Sequence, residues 1–226
     1  MAFSSVGIVG SGPIGCSIAI AIARTDTPTI LVRATRGHDA LASRRIESRL
    51  RFFRDAGEMT EAEVERAREG IRLVDDPSHL SGCDLVIESV AADERARRAT
   101  LATLEARLSP GAVLASNSPP GELAAIAEVL RRRDQFVGLH FFTGSIAASS
   151  TGTAVTARAA TLEKHVVELG LLADTAPGVA AACKAFARHL GTTTIERATG
   201  AVHVGYREFL SGAQDANVDG ALRIVA

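Results

Sequence analysis

Val6-Gly7-Ile8-Val9-Gly10-Ser11-Gly12-Pro13-Ile14-Gly15-Cys16 is the stretch from which the rest of the chain is read. A β-branched run meets glycines at once, and from Pro13 the pattern becomes a small-residue apolar helix ending near Arg24. A strand before the GxGxxG spacing and a helix after it make it a dinucleotide fingerprint rather than a glycine-rich turn. Gly10 allows the tight turn, Gly12 lets backbone approach a pyrophosphate, and Gly15 lets helix pack close to strand, so the helix N-terminus faces the anion. Ser11 and Ile14 complete the loop, and Pro13 removes one amide donor but suits a first helical turn.

The next strand, Thr29 to Val32, ends where an NAD site usually carries a carboxylate for the ribose 2′-hydroxyl. This chain has Arg33 there, with Arg36 three residues on. Guanidinium pairs well with phosphate, so the segment reads as a site for the 2′-phosphate of NADP, and NADP(H) is favoured over NAD(H). Arg33 as a solvated charge on a site without a dinucleotide is the competing reading.

Strands and helices then alternate. A long amphipathic helix runs from His38 to Ala56, a Thr60/Glu63 capping box opens another to about Arg68, and strands follow at Ile71 to Val74 and Asp84 to Glu88. A helix from Asp93 to Leu108, a strand at Ala112 to Ala115, a helix from Gly121 to Arg133 and a strand from Phe136 to Phe142 complete six strands. The expected fold is α/β: a Rossmann-type, doubly wound, mostly parallel sheet with an inserted helical pair and a short C-terminal helical extension. Residues 143–161 are rich in Ala, Ser, Thr and Gly and read as a flexible insertion. Beyond it come a strand around His165 to Leu169, a helix from Pro177 to Leu190 closed by Gly191, a strand at Thr192 to Ile195, and a last helix within Val204 to Val225. The expected division is a dinucleotide-binding domain over 1–199 and a helical remnant over 200–226 that pairs two copies into a homodimer.

Composition narrows the partners. The 226 residues are 46% hydrophobic with a net charge of -1, so the basic excess of a nucleic-acid-binding protein is missing. The apolar run from Ile14 to Ala23 is too short to cross a bilayer and has no basic residue before it, so the chain reads as cytoplasmic and not membrane-bound. Cys16, Cys83 and Cys183 stand far apart, and no metal-ligand spacing exists among cysteines or histidines.

Five segments in register carry a resemblance to a known family. Gly10 to Gly15, the helical pair with Met59-Thr60-Glu61-Ala62-Glu63, Asp84-Leu85-Val86-Ile87-Glu88, Leu114-Ala115-Ser116-Asn117-Ser118 and Gly138-Leu139-His140-Phe141-Phe142 resemble the dinucleotide-binding domain of the L-3-hydroxyacyl-CoA dehydrogenases. The resemblance implies hydride transfer between a nicotinamide and the 3-position of an acyl thioester, carried on coenzyme A or a carrier protein. It implies a catalytic His–Glu pair, with His140 as the histidine and Glu88 near the cofactor. Nothing acidic follows His140 at the family's distance; Val166-Val167-Glu168-Leu169 resembles the glutamate-bearing strand displaced by the insertion, which makes Glu168 the candidate partner. A surface helix pairing Glu168 with Lys164 is the alternative.

Departures are equally specific. Pro119 stands where the family has a substrate-contacting serine, so Ser116 or Ser118, flanking Asn117, must substitute; Val204 replaces an expected asparagine, and Thr143-Gly144 an Asn-Pro. Two readings therefore stand beside the dehydrogenase: a non-catalytic dinucleotide- or partner-binding homologue, and a reductase of a different carbonyl or imine substrate.

Overall fold

The computed structural model describes residues 3–33, 39–141, 166–198 and 222–225, which fall into two compact units, Phe3–Leu114 and the residues from Ala115 onward. Arg36, the insertion, Val204 and the expected boundary at 199/200 lie outside the described residues.

The first unit is built by crossover connections. β1 (Val6–Val9), β2 (Thr29–Val32), β3 (Ile71–Val74) and β4 (Leu85–Glu88) are parallel, in the order β3-β2-β1-β4. α1 (Pro13–Ala23) joins β1 to β2. Its apolar residues are buried nearly all round, as a helix pressed between sheet and other helices requires. α2 (Asp39–Asp55) and α3 (Glu61–Gly70) are the expected helical pair. The capping box is formed as read: the Glu63 amide donates to Thr60 Oγ1, and the Glu63 carboxylate accepts from the Thr60 amide at 2.7 Å. α4 (Glu94–Glu105) follows β4, capped by Asp93.

β5 (Val113–Ser116) carries the chain into the second unit, where β6 (Phe136–Phe141), β7 (Val166–Leu171), β8 (Thr193–Ala198) and β9 (Leu222–Val225) lie in that order. β7 runs antiparallel to β6 and parallel to β8. α6 (Pro177–His189) connects β7 to β8 and closes, as expected, on Gly191 at a positive φ of 70°.

Two expectations need correction. The helix read over Gly121 to Arg133 is only α5 (Leu123–Ala127), preceded directly by a tighter turn at Pro120–Glu122, with another tighter turn further on at Arg133–Gln135. Its last turn closes through bonds from Glu128 N to Ala125 O and Leu130 N to Ala127 O; once Leu130 is buried, Arg131-Arg132-Arg133 offers no apolar face to continue it. Residues 222–225, inside the stretch where a last helix was expected, form β9 instead, paired antiparallel along β8; the rest of that stretch lies outside the described residues.

Glycine also shapes the second unit at the β6–β7 pair. Gly138 on β6 and Gly170 on β7 are register partners, and a Cβ on either would overlap the side chain of Leu123, which is fully buried. The two glycines are a notch into which α5 seats Leu123. Gly138→Ala should therefore destabilise this unit by about 1 to 3 kcal/mol, read as a lower midpoint in urea; an unchanged midpoint would show that Leu123 can move aside.

Candidate active site

The register of β6 and β7 sets the central feature: His140 and Glu168 are direct cross-strand partners. His140 Nδ1 lies 2.9 Å from Glu168 Oε2. Glu168 is therefore on a strand and not on a surface helix. Its other oxygen accepts from Arg197 Nε at 2.6 Å, so one carboxylate, wholly buried, lies between an imidazole and a guanidinium. The His140 side chain keeps 14% of its surface exposed, so solvent reaches the imidazole but not the carboxylate.

Burial pushes the Glu168 carboxyl up, but the His140 hydrogen bond and the Arg197 charge outweigh it and hold the carboxyl below the ordinary glutamate range. Glu168 is thus an anion near neutral pH and an obligatory acceptor. A depressed folded-state pKa contributes stability that is complete above the unfolded value and lost as pH falls through the folded one. The stability advantage of the parent over Glu168→Gln should accordingly shrink as pH falls below about 4.5, the ordinary glutamate value. Unfolding measured from pH 7 to 3 checks this, and a difference independent of pH would contradict it.

Sequence reasoning missed Arg197. The available signal was alternation: Ile195 is the register partner of Glu168, and Arg197, two residues on, shares its face of β8 opposite Gly170.

The segment after β5 supports the same strand end. Asn117 Oδ1 accepts from the amide of Phe141 at 2.8 Å, tying down the backbone next to His140. Ser116 and Ser118 are both buried, and their hydroxyls hydrogen-bond to each other at 2.8 Å. They brace the turn that leads to the half-buried Pro119.

The fingerprint belongs to the first unit. Gly10 has φ 116°, a conformation glycine adopts freely, and a Cβ there would collide with the carbonyl of Ser89. A Cβ on Gly15 would overlap the carbonyl oxygen of Gly10, whereas one on Gly12 would meet nothing within 4 Å. The backbone is thus crowded at Gly10 and Gly15 and open at Gly12, where a pyrophosphate would approach. Gly12 is the N-cap of α1, and no side chain caps this end. These residues fit a dinucleotide. The guanidinium of Arg45, on α2, donates to Ser11 O at 3.0 Å and adds a positive charge beside the turn; the sequence reading did not single it out.

Of the remaining cofactor candidates, Arg33 and Glu88 are engaged within the unit. Arg33 forms a two-pronged ion pair with Asp75, Nε to Oδ1 at 2.6 Å and Nη2 to Oδ2 at 2.5 Å. Glu88, buried at the end of β4, accepts from Val90 N at 2.8 Å and faces Arg97 Nε at 4.0 Å. Among the described residues no cluster of three or more metal-ligating side chains occurs, and no helix is long and apolar enough to cross a membrane.

Comparison with known proteins agrees with this geometry. Residues 5–147 match the model of the 3-hydroxyacyl-CoA dehydrogenase NAD-binding domain. A 3-hydroxybutyryl-CoA dehydrogenase of Mycobacterium tuberculosis is 32% identical over 142 residues, 62% of this chain and 50% of the relative. The peroxisomal bifunctional enzyme of Homo sapiens is 33% identical over 140 residues, 62% of this chain and 19% of the relative. The chain thus spans half the length of the first relative and a fifth of the second. Among solved structures, M. tuberculosis FadB2 superposes with a TM-score of 0.75 at 28% identity, covering 89% of this chain and 66% of that one. A 3-hydroxybutyryl-CoA dehydrogenase from Escherichia coli, at 23% identity and a TM-score of 0.75, attests the fold. With a family match across well over half its length, a fingerprint turn that accommodates a dinucleotide and a histidine joined to a buried glutamate, this chain belongs to the 3-hydroxyacyl-CoA dehydrogenase family through its NAD-binding domain.

Proposed function

We propose that the protein is an oxidoreductase that interconverts the 3-hydroxy and 3-oxo groups of an acyl thioester, with a nicotinamide dinucleotide as hydride carrier. The observation that supports it most is the hydrogen bond between His140 and the anionic Glu168. With a carboxylate on Nδ1, that nitrogen carries the ring hydrogen, and Nε2 presents a lone pair to substrate. In the oxidative direction Nε2 takes the proton of the 3-hydroxyl, and Glu168 stabilises the imidazolium that forms; in the reductive direction the protonated imidazole returns it to the oxygen. The bound dinucleotide supplies the hydride acceptor or donor, and Gly10, Ser11, Gly12, Pro13, Ile14 and Gly15, with Glu88 behind them, are its proposed seat. Asn117, Ser116 and Ser118 are proposed to hold the site's wall and the end of β6.

The substrate is proposed to be a 3-oxoacyl or 3-hydroxyacyl group on coenzyme A or on a carrier protein; the similarity to 3-hydroxybutyryl-CoA dehydrogenase supports the coenzyme A form. A direct test adds purified protein to NADPH or NADH, with and without acetoacetyl-CoA, and follows cofactor absorbance and fluorescence. Turnover agrees with the proposal. Binding without turnover would favour the non-catalytic homologue, to which Pro119 in place of the family's serine lends support.

NADP(H) is proposed as the preferred dinucleotide on the strength of Arg33 and Arg36. Arg33→Asp should then reverse the preference, because a charge-assisted pair with phosphate contributes about 1.5 to 3 kcal/mol. Equal affinities of the parent for NADPH and NADH at matched ionic strength would count against it. Self-association is proposed as well: β9 ends the strand order, and its outer edge carries no further strand among the described residues. Light scattering should give about twice the chain mass of 23.6 kDa, and a monomer mass at micromolar concentration rejects the idea.

A further inference from the structure

We infer that Asp75 governs how strongly this protein distinguishes a phosphorylated from an unphosphorylated adenosine ribose. The inference rests on the proposal that the fingerprint binds a dinucleotide. Val32 and Val74 are register partners at the ends of β2 and β3, so Arg33 and Asp75, one residue further on, emerge side by side at the carboxyl ends of adjacent parallel strands. The Arg33 amide donates to Val74 O at 2.9 Å, which fixes this juxtaposition through the backbone. In a sheet of this kind the ribose of a dinucleotide is read at the end of the second strand.

The two side chains divide the roles unequally. Asp75 meets the guanidinium fork with both carboxylate oxygens. Arg33 has 11% of its side chain exposed and Asp75 has 48%, so the group turned further toward solvent is the carboxylate. A 2′-phosphate reaching for Arg33 has to compete with the Asp75 carboxylate for the same guanidinium. A 2′-hydroxyl meets an acceptor. Asp75 thus performs from β3 the task usually given to a carboxylate on β2, and it restrains the phosphate preference that Arg33 would otherwise confer.

The test is a fluorescence titration of NADPH and NADH with the parent protein, Asp75→Asn and the double variant Asp75→Asn/Arg33→Ser. Asp75→Asn retains the side chain's shape and a hydrogen-bonding oxygen at a half-exposed position, so its fold should persist; Asp75→Ala provides a second reading of the same loss of charge. Both variants should raise the ratio of the NADH to the NADPH dissociation constant about tenfold over the parent, and the double variant should erase the rise. A ratio within twofold of the parent in both, or a fall, overturns the role of Asp75 while leaving dinucleotide binding intact. Failure of the parent to bind either dinucleotide overturns the binding proposal itself, and this inference with it.

Discussion

Replacing His140 by alanine is expected to lower kcat on a 3-oxoacyl thioester by about 10² to 10⁴, the range that general acid–base catalysis contributes, while dinucleotide affinity stays nearly unchanged. His140 pairs with Glu168 and is no part of the glycine turn, so the substitution removes a proton-transfer group and leaves the residues of that turn unaltered. Glu168→Gln should cost less. The amide keeps a hydrogen-bonding oxygen for the imidazole but loses the negative charge that stabilises the imidazolium. An alanine variant with unchanged kcat, or one in which cofactor affinity falls in parallel with kcat, would remove His140 from the proton-transfer role.

The second large effect belongs to Gly15. Any Cβ there overlaps the carbonyl oxygen of Gly10, and the obstacle is backbone, so no rotamer change relieves it. For Gly15→Ala, α1 must back away from β1 and the turn must open. Overpacking of this kind costs about 1 to 3 kcal/mol or more, and the displaced helix N-terminus no longer faces the pyrophosphate. A lower Tm together with dinucleotide affinity reduced at least a hundredfold is the expected pair of results. Gly12→Ala provides the contrast: its Cβ meets no protein atom within 4 Å, so it should spare Tm while hindering the ligand's approach. Equal behaviour of the two variants would show that the crowding at Gly15 is unimportant.

The parts of the fold that could be read from residues are those fixed by neighbours in sequence. The strand–glycine–helix unit, the Thr60/Glu63 capping box and the closure of α6 at Gly191 are each set within a few residues, by the conformational freedom of glycine or by one side chain capping nearby amides. The helix expected over Gly121 to Arg133 failed because its extent depends on what it packs against: α5 extends only as far as the notch at Gly138 and Gly170 and the burial of Leu130 use it. β9 depends in the same way on the edge of β8, which no local pattern in residues 222–225 reveals.

The candidate site divides along the same line. His140 and Glu168 were identifiable as residue types in suitable contexts, but they are 28 residues apart, and only the antiparallel register of β6 and β7 makes them partners at 2.9 Å. Arg197 was invisible for the same reason, since its meaning comes from a third strand laid beside the second. Arg33 shows the converse: its charge was plain, but the competitor for it was not, because the Asp75 carboxylate that pairs with it arrives from 42 residues away along the chain. The sequence by itself determined the elements set within a few residues and the chemical groups, since these follow from local backbone preference and side-chain identity. Which groups meet, and so which charges act and which are already spent on one another, was decided by strand register and packing, because electrostatic and hydrogen-bond energies depend on separation in space and not along the chain.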